Sequence, residues 1–144
     1  KQAFNNIDEE IKKSPFNHRI YCTGQIESDQ MPAYLNNATI LALARPDNIQ
    51  AKGGFPTKLG EYLATGNPVV ITDVGEHSLY LKDGVSAYLV PPGDNILFGQ
   101  RLLDAINDGE TSKAIGIEGQ KIALKYFNYK TQAQKLYKFL KSQQ

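Results

Sequence analysis

Gly53-Gly54-Phe55-Pro56-Thr57-Lys58-Leu59-Gly60-Glu61-Tyr62-Leu63-Ala64-Thr65-Gly66-Asn67-Pro68-Val69-Val70-Ile71 is the stretch that decides how this chain folds. It reads in immediate succession as a glycine turn, a short helix and a buried strand. Paired glycines permit positive φ or the close approach of a ligand to the backbone. Pro56 suits the first helical position, where its missing N–H costs nothing and its fixed φ is already helical. Leu59, Tyr62 and Leu63 fall at helical spacing and give the helix one apolar side. Gly66 stops the helix as a C′ glycine and Pro68 forbids its continuation. The β-branched run Val69-Val70-Ile71 has the character of a strand covered on both faces.

The polar residues of that helix admit two readings. Lys58 stands in the first turn, where the macrodipole disfavours a cation. An anion bound at the same end reverses the sign, because free N–H groups, dipole and ammonium then converge on it. Glu61 sits about five residues in from the helix start, roughly 7–8 Å along the axis at 1.5 Å per residue. Helical side chains lean toward the N-terminus, so its carboxylate is expected to point back toward the ligand end, within reach of a vicinal diol such as a ribose. Phosphate at the mouth and sugar hydroxyls one turn away together describe a nucleotide. The plainer reading is a solvated Lys58–Glu61 pair at i, i+3, worth about 0.2–0.5 kcal/mol.

Working outward, short apolar runs alternate with helical patterns. Arg19–Thr23, Thr39–Ala44 and Ala87–Val90 read as further strands. Residues 2–13 carry Phe4, Ile7 and Ile11 at helical spacing, a short helix follows Asp29 as its cap, and three more helices are expected after Asp94. The second of these runs from about Thr111 to Tyr126. The first turns Phe98, Leu102, Ala105 and Ile106 inward, and the last, Tyr129–Ser142, carries Ala133, Leu136, Tyr137 and Leu140 on one side. Its aromatic residues read as core in preference to ligand-stacking groups. This alternation predicts an α/β fold with a Rossmann-like parallel sheet and flanking helices. Arg45 to Lys52 is a polar loop at a strand's carboxyl end, where open α/β sheets bind ligands. Arg45 and Lys52 therefore face either a diphosphate or solvent. Gly24 turns the chain after the first predicted strand, and Ile26 follows it.

With 144 residues the chain has the size of one domain, and its 16 basic against 15 acidic residues leave a net charge of +1, with the signs interspersed. That balance gives no footprint for nucleic acid or a membrane surface. A lone cysteine, Cys22, cannot form an internal disulfide; it reads as a small buried hydrophobe in a cytoplasmic protein. His18 and His77 lack the neighbours a metal constellation needs, so no metal and no cofactor are expected. No leader or spanning segment is apparent, and the chain starts inside an amphipathic pattern, so an excised piece of a larger protein is expected.

The run Gly-Gly-Phe-Pro-Thr-Lys-Leu-Gly-Glu-Tyr-Leu-Ala-Thr-Gly-Asn-Pro-Val-Val resembles the donor-binding segment of the GT-B glycosyltransferases, in particular retaining family 4 (group 1). The likeness continues from about Arg19 to the end, through Asp83-Gly84, Leu89-Val90-Pro91-Pro92-Gly93-Asp94 and Phe127-Asn128-Tyr129. It implies that residues 1–144 are a partial C-terminal, nucleotide-sugar-binding domain that lacks its opening strands. It also implies transfer of a sugar, of hexosyltransferase type, from a nucleoside diphosphate sugar to an acceptor hydroxyl in glycan or polysaccharide synthesis. The acceptor, a glycan or lipid-linked sugar, would be held by an N-terminal domain, and a peripheral position of the parent at the inner membrane face fits this scheme.

Carried onto this sequence, the resemblance assigns nucleotide binding to Gly24, Ile26, Gly54, Phe55, Thr57, Lys58 and Glu61, with Glu61 on the ribose. The nucleoside diphosphate sugar is substrate, with no cofactor beside it. Glu61 matches the second of two family glutamates seven residues apart; the first, on the transferred sugar, would fall at position 53, which is Gly53 here. The family's diphosphate-binding Arg and Lys lie upstream of this chain, so its catalytic residues are unknown and the isolated chain is expected to be inactive. Two other readings stay open: an epimerase of the same fold, and a non-catalytic nucleotide-binding or interaction module of Rossmann/flavodoxin type. Missing central strands would leave the first strand without neighbours, which predicts a homodimer by strand exchange or a regrouped sheet.

Overall fold

The computed structural model describes residues 2–54 and 57–143. Phe55 and Pro56, expected in the glycine turn and at the first helical position, lie outside the described residues. The chain divides into two compact units, Lys1–Met31 and Pro32–Gln144.

In the first unit, α1 (Gln2–Lys13) matches the predicted helix, with Lys12 and Lys13 in its last turn, where cations complement the dipole. Ile7 is nonetheless exposed. A 3₁₀ turn covers Asn17–Arg19, and Ile20 is extended at φ −107°, ψ 120°. The strand expected over Arg19–Thr23 is absent: residues 20–23 pair with no strand among the described residues. Apolar alternation makes a segment extended, but only a hydrogen-bonded neighbour makes it a strand. Without that neighbour Tyr21 is 85% exposed, and Cys22, expected to be buried, is exposed too.

In the second unit three parallel strands form one sheet in the order β1 (Leu41–Leu43), β2 (Val69–Thr72), β3 (Tyr88–Val90). Leu41 pairs with Val69, and Val70 with Tyr88. The sheet follows chain order and is not regrouped. Its centre is β2, where Val69, Val70 and Ile71 are at most 1% exposed, and each such side chain contributes about 1.5–3 kcal/mol of burial. α2 (Met31–Asn37) begins two residues past the cap expected at Asp29. The loop after β1 is partly helical: α3 (Ile49–Gly53) is capped by Asn48, whose side chain accepts from the Ala51 N–H at 2.7 Å.

α4 (Thr57–Ala64) buries Leu59 and Leu63 against one face of the sheet, together with Ile71 and Leu81. Gly66 follows at φ +77°, the left-handed stop the sequence predicts. α5 (His77–Tyr80) is one turn. α6 (Asn95–Asn107) is capped by Asp94 and buries Ala105 against the other face, beside Val70 and Tyr88, while Ile106, expected inward, is exposed. α7 (Gly109–Ile122) continues into a π turn, Ala123–Phe127, which packs against α4: a Cβ at Gly60 would stand 3.5 Å from the Phe127 Cβ. Tyr80 meets Tyr126 and Phe127 edge-on at 5.4 and 5.3 Å. α8 (Tyr129–Lys141) has no buried residue, so Tyr129, Leu136, Tyr137, Phe139 and Leu140 are surface groups and not the core their spacing suggested. Among the described residues no helix is long and apolar enough to cross a membrane.

Candidate functional site

The carboxyl ends of parallel strands collect loops, and here the loops after β1 and β2 are tied together. The Arg45 N–H donates to the Thr72 Oγ1 at 2.8 Å, joining the residues that follow β1 to the last residue of β2. The Thr72 carbonyl lies 2.9 Å from the Nδ1 of His77, which is 1% exposed. Gly75 takes φ +65°, and a Cβ there would stand 3.2 Å from the carbonyl oxygens of both Ala51 and Lys52. Any side chain at Gly75 would be strained in backbone and would press on α3. The Arg45 Nη1 then donates to the Gly54 carbonyl at 3.2 Å. Strand end, loop and the approach to α4 thus form one connected unit.

Of the residues singled out from the sequence, Gly54, Thr57, Lys58 and Glu61 lie together on the approach to α4 and along it, all exposed. Among the described residues neither Lys58 nor Glu61 has an ion-pair or hydrogen-bond partner, so the plain i, i+3 pair is not formed. No acidic residue occupies the first turn of α4. Of the two uses expected for the paired glycines, positive φ is not taken up: Gly53 closes α3 and Gly54 is extended at φ −126°. A Cβ at Gly53 would meet nothing within 4 Å, so that backbone faces open space. Phe55 lies outside the described residues. Gly24, at φ +67°, and the half-buried Ile26 belong to the first unit.

Lys52 is taken up by Asp47 at 2.8 Å, with both side chains largely exposed. His18 is an exposed residue of the 3₁₀ turn. His77 is a structural group, as its surroundings suggested. Among the described residues no group of three or more His, Cys, Asp or Glu side chains is placed to hold a metal ion. Sequence reasoning missed Thr72 and Gly75. Their signals were present, as a hydroxyl closing a β-branched run and a glycine three residues on, but their partners are remote in the chain.

Comparison with known proteins fits this geometry. A family profile for "Glycosyl transferases group 1" matches residues 3–108. A trehalose phosphorylase of Grifola frondosa is 37% identical over 60 residues, covering 42% of this chain and 8% of that protein, so the chain spans a small part of this curated relative. Among solved structures, Anabaena HepE in complex with UDP and glucose superposes with a TM-score of 0.83 at 20% identity, over 96% of this chain and 36% of that one. The C-terminal domain of a group 1 family protein, LpcC of Francisella tularensis, gives 0.76 at 19% identity, over 89% of this chain and 64% of that domain. At such identities the structures speak to the fold. The matched residues hold all three strands of the sheet and all of α4, and on that evidence the chain belongs to the group 1 glycosyl transferases.

Proposed function

We propose that the chain is the donor-binding part of a retaining glycosyltransferase that moves a hexose from a nucleoside diphosphate sugar to an acceptor hydroxyl in glycan or polysaccharide synthesis. One observation carries this reading: at the carboxyl edge of a parallel sheet, α4 presents Lys58 and Glu61 exposed and, among the described residues, without protein partners. The helix mouth and the Lys58 ammonium suit a diphosphate. The same arrangement stabilises the charge that develops on the leaving diphosphate, and it does so without reorganising during the reaction. Glu61, further along, suits the two ribose hydroxyls. The backbone of Thr57 and Gly54 lines the approach, with Phe55 beside it in sequence. The scheme asks for no metal or cofactor, and the chain alone is expected to bind donor without turning it over. HepE was solved with UDP, which makes UDP the first nucleotide to try.

Calorimetry with UDP, GDP and ADP on the wild-type chain and on Glu61→Ala tests it. One nucleotide should bind to the wild type, and the substitution should weaken it about tenfold or more, since a hydrogen bond to a charged group is worth roughly 1.5–3 kcal/mol. The 2′-deoxy nucleotide should lose affinity in the wild type and little further in the variant. A folded chain that binds none of them favours the non-catalytic module.

A further inference from the structure

Arg45 and Lys52 belong to the same loop, and their surroundings separate them. Lys52 is exposed and paired with Asp47. Arg45 is half-buried, and among the described residues no carboxylate pairs with it. Its backbone is pinned by the Thr72 hydroxyl, and its guanidinium is steadied by one bond to the Gly54 carbonyl. A guanidinium has five N–H donors, so among the described residues this single carbonyl leaves most of the fork unused. A partly desolvated cation without a counter-ion is unfavourable, and an anion at the site would offset that cost.

We propose that Arg45 is a specificity-determining residue of the donor site: held at Gly54, it presents its remaining N–H groups to the diphosphate, alongside Lys58 of α4. The inference rests on the reading of α4 given under Proposed function. Arginine suits this role better than lysine because its planar fork meets two phosphate oxygens at once. Thr72 acts through Arg45 as a positioning residue, since its buried hydroxyl fixes where the arginine leaves the strand.

Amide-shift titrations of the 144-residue chain with UDP and with uridine, at low and high salt, test this. Arg45→Gln should raise the Kd for UDP about tenfold or more, leave uridine binding unchanged, and weaken the salt dependence of UDP binding. Arg45→Lys should fall between, and Lys52→Gln should stay within about twofold of wild type, because an exposed pair contributes little. If UDP binds Arg45→Gln as it binds wild type while Glu61→Ala has lost it, the arginine proposal fails and the donor site stands. If the folded wild type binds GDP or ADP in place of UDP, that nucleotide and its nucleoside replace UDP and uridine in the series; if it binds none of the three, the donor-site reading fails first. Loss of UDP and uridine alike in a folded Arg45→Gln would show a merely structural role and overturn the proposal. Should Arg45→Gln not fold, Arg45→Lys reads the same contrast, and wild-type affinity for UDP in that variant overturns it.

Discussion

The two ends of α4 are built on opposite principles. The carboxyl end is closed by the protein itself: Gly66 turns left-handed, Gln120 Nε2 donates to the Ala64 carbonyl at 2.8 Å, and Asn67 Nδ2 donates to the Leu35 carbonyl at 3.0 Å. The amino end has a cation in its first turn and no acidic residue there. Among the described residues the amino ends of α3, α6, α7 and α8 are capped by a side chain. Asp94 accepts from the Leu97 N–H at 2.8 Å and Asp108 from the Thr111 N–H at 3.0 Å. Each such cap satisfies a backbone donor that the start of a helix leaves open. The carboxyl end of α4 is thus closed by the protein's own groups, and its amino end presents an exposed cation.

The largest effect should come from the closed end. Gly116 of α7 lies directly on the turn after α4, so that an added Cβ would overlap the Gly66 carbonyl oxygen and stand 2.8 Å from the Asn67 carbonyl carbon. Backbone cannot yield as a flexible side chain does. Gly116→Ala should destabilise the chain by about 3 kcal/mol, the upper part of the overpacking range, read as a lowered denaturation midpoint. An unchanged midpoint would mean that the closure at this end is loose and the contrast between the ends is false.

At the open end the expected effect on stability is small and of opposite sign. Lys58→Glu exchanges an unfavourable charge in the first turn for a favourable one, which should stabilise the chain by about 0.5 kcal/mol. The same change sets a carboxylate against the diphosphate, so UDP binding should be lost. Stability up and binding gone is the signature of a residue kept for a ligand. If the variant is less stable, or binds UDP like the wild type, Lys58 is an ordinary surface lysine.

How far the chain could be read follows from the range of the signals. The helix–turn–strand unit around Leu59, Gly66 and Val69–Ile71 was legible because every cue in it is local: helical spacing, a left-handed glycine, a proline stop and a β-branched run. The expected strand at residues 19–23 failed because pairing is not a local property. Ile106 and the apolar side of α8 failed for a related reason, since helical spacing marks an apolar side but not what covers it. Of the site, Lys58 and Glu61 were visible as a polar pattern, and their lack of partners among the described residues was not. The bonds joining Arg45 to Thr72 and to Gly54 span 27 and 9 residues, and no spacing rule reaches the first of them. The cap that turned part of the Arg45–Lys52 loop into α3 was local, an Asn48 side chain serving the amide three residues on, and it was passed over because the segment is so polar.

The smallest effect belongs to an amino end of the closed kind. The Asp108 carboxyl is held below its ordinary value of 3.8 by the hydrogen bond from the Thr111 backbone N–H and, after that, by the Thr111 side chain. A folded-state pKa below the unfolded one means that this carboxylate stabilises the protein fully above the unfolded value. The contribution is lost as pH falls through the unfolded pKa and on to the folded one. Asp108→Asn keeps a capping oxygen and removes the charge, so the stability difference between wild type and variant should be constant from about pH 5 to pH 7 and shrink below pH 4. Chemical denaturation across that window measures it. A difference that does not change with pH would mean that charge plays no part in closing this end. The cation at the mouth of α4 would then lose its electrostatic meaning as well, because both arguments draw on the same helix dipole.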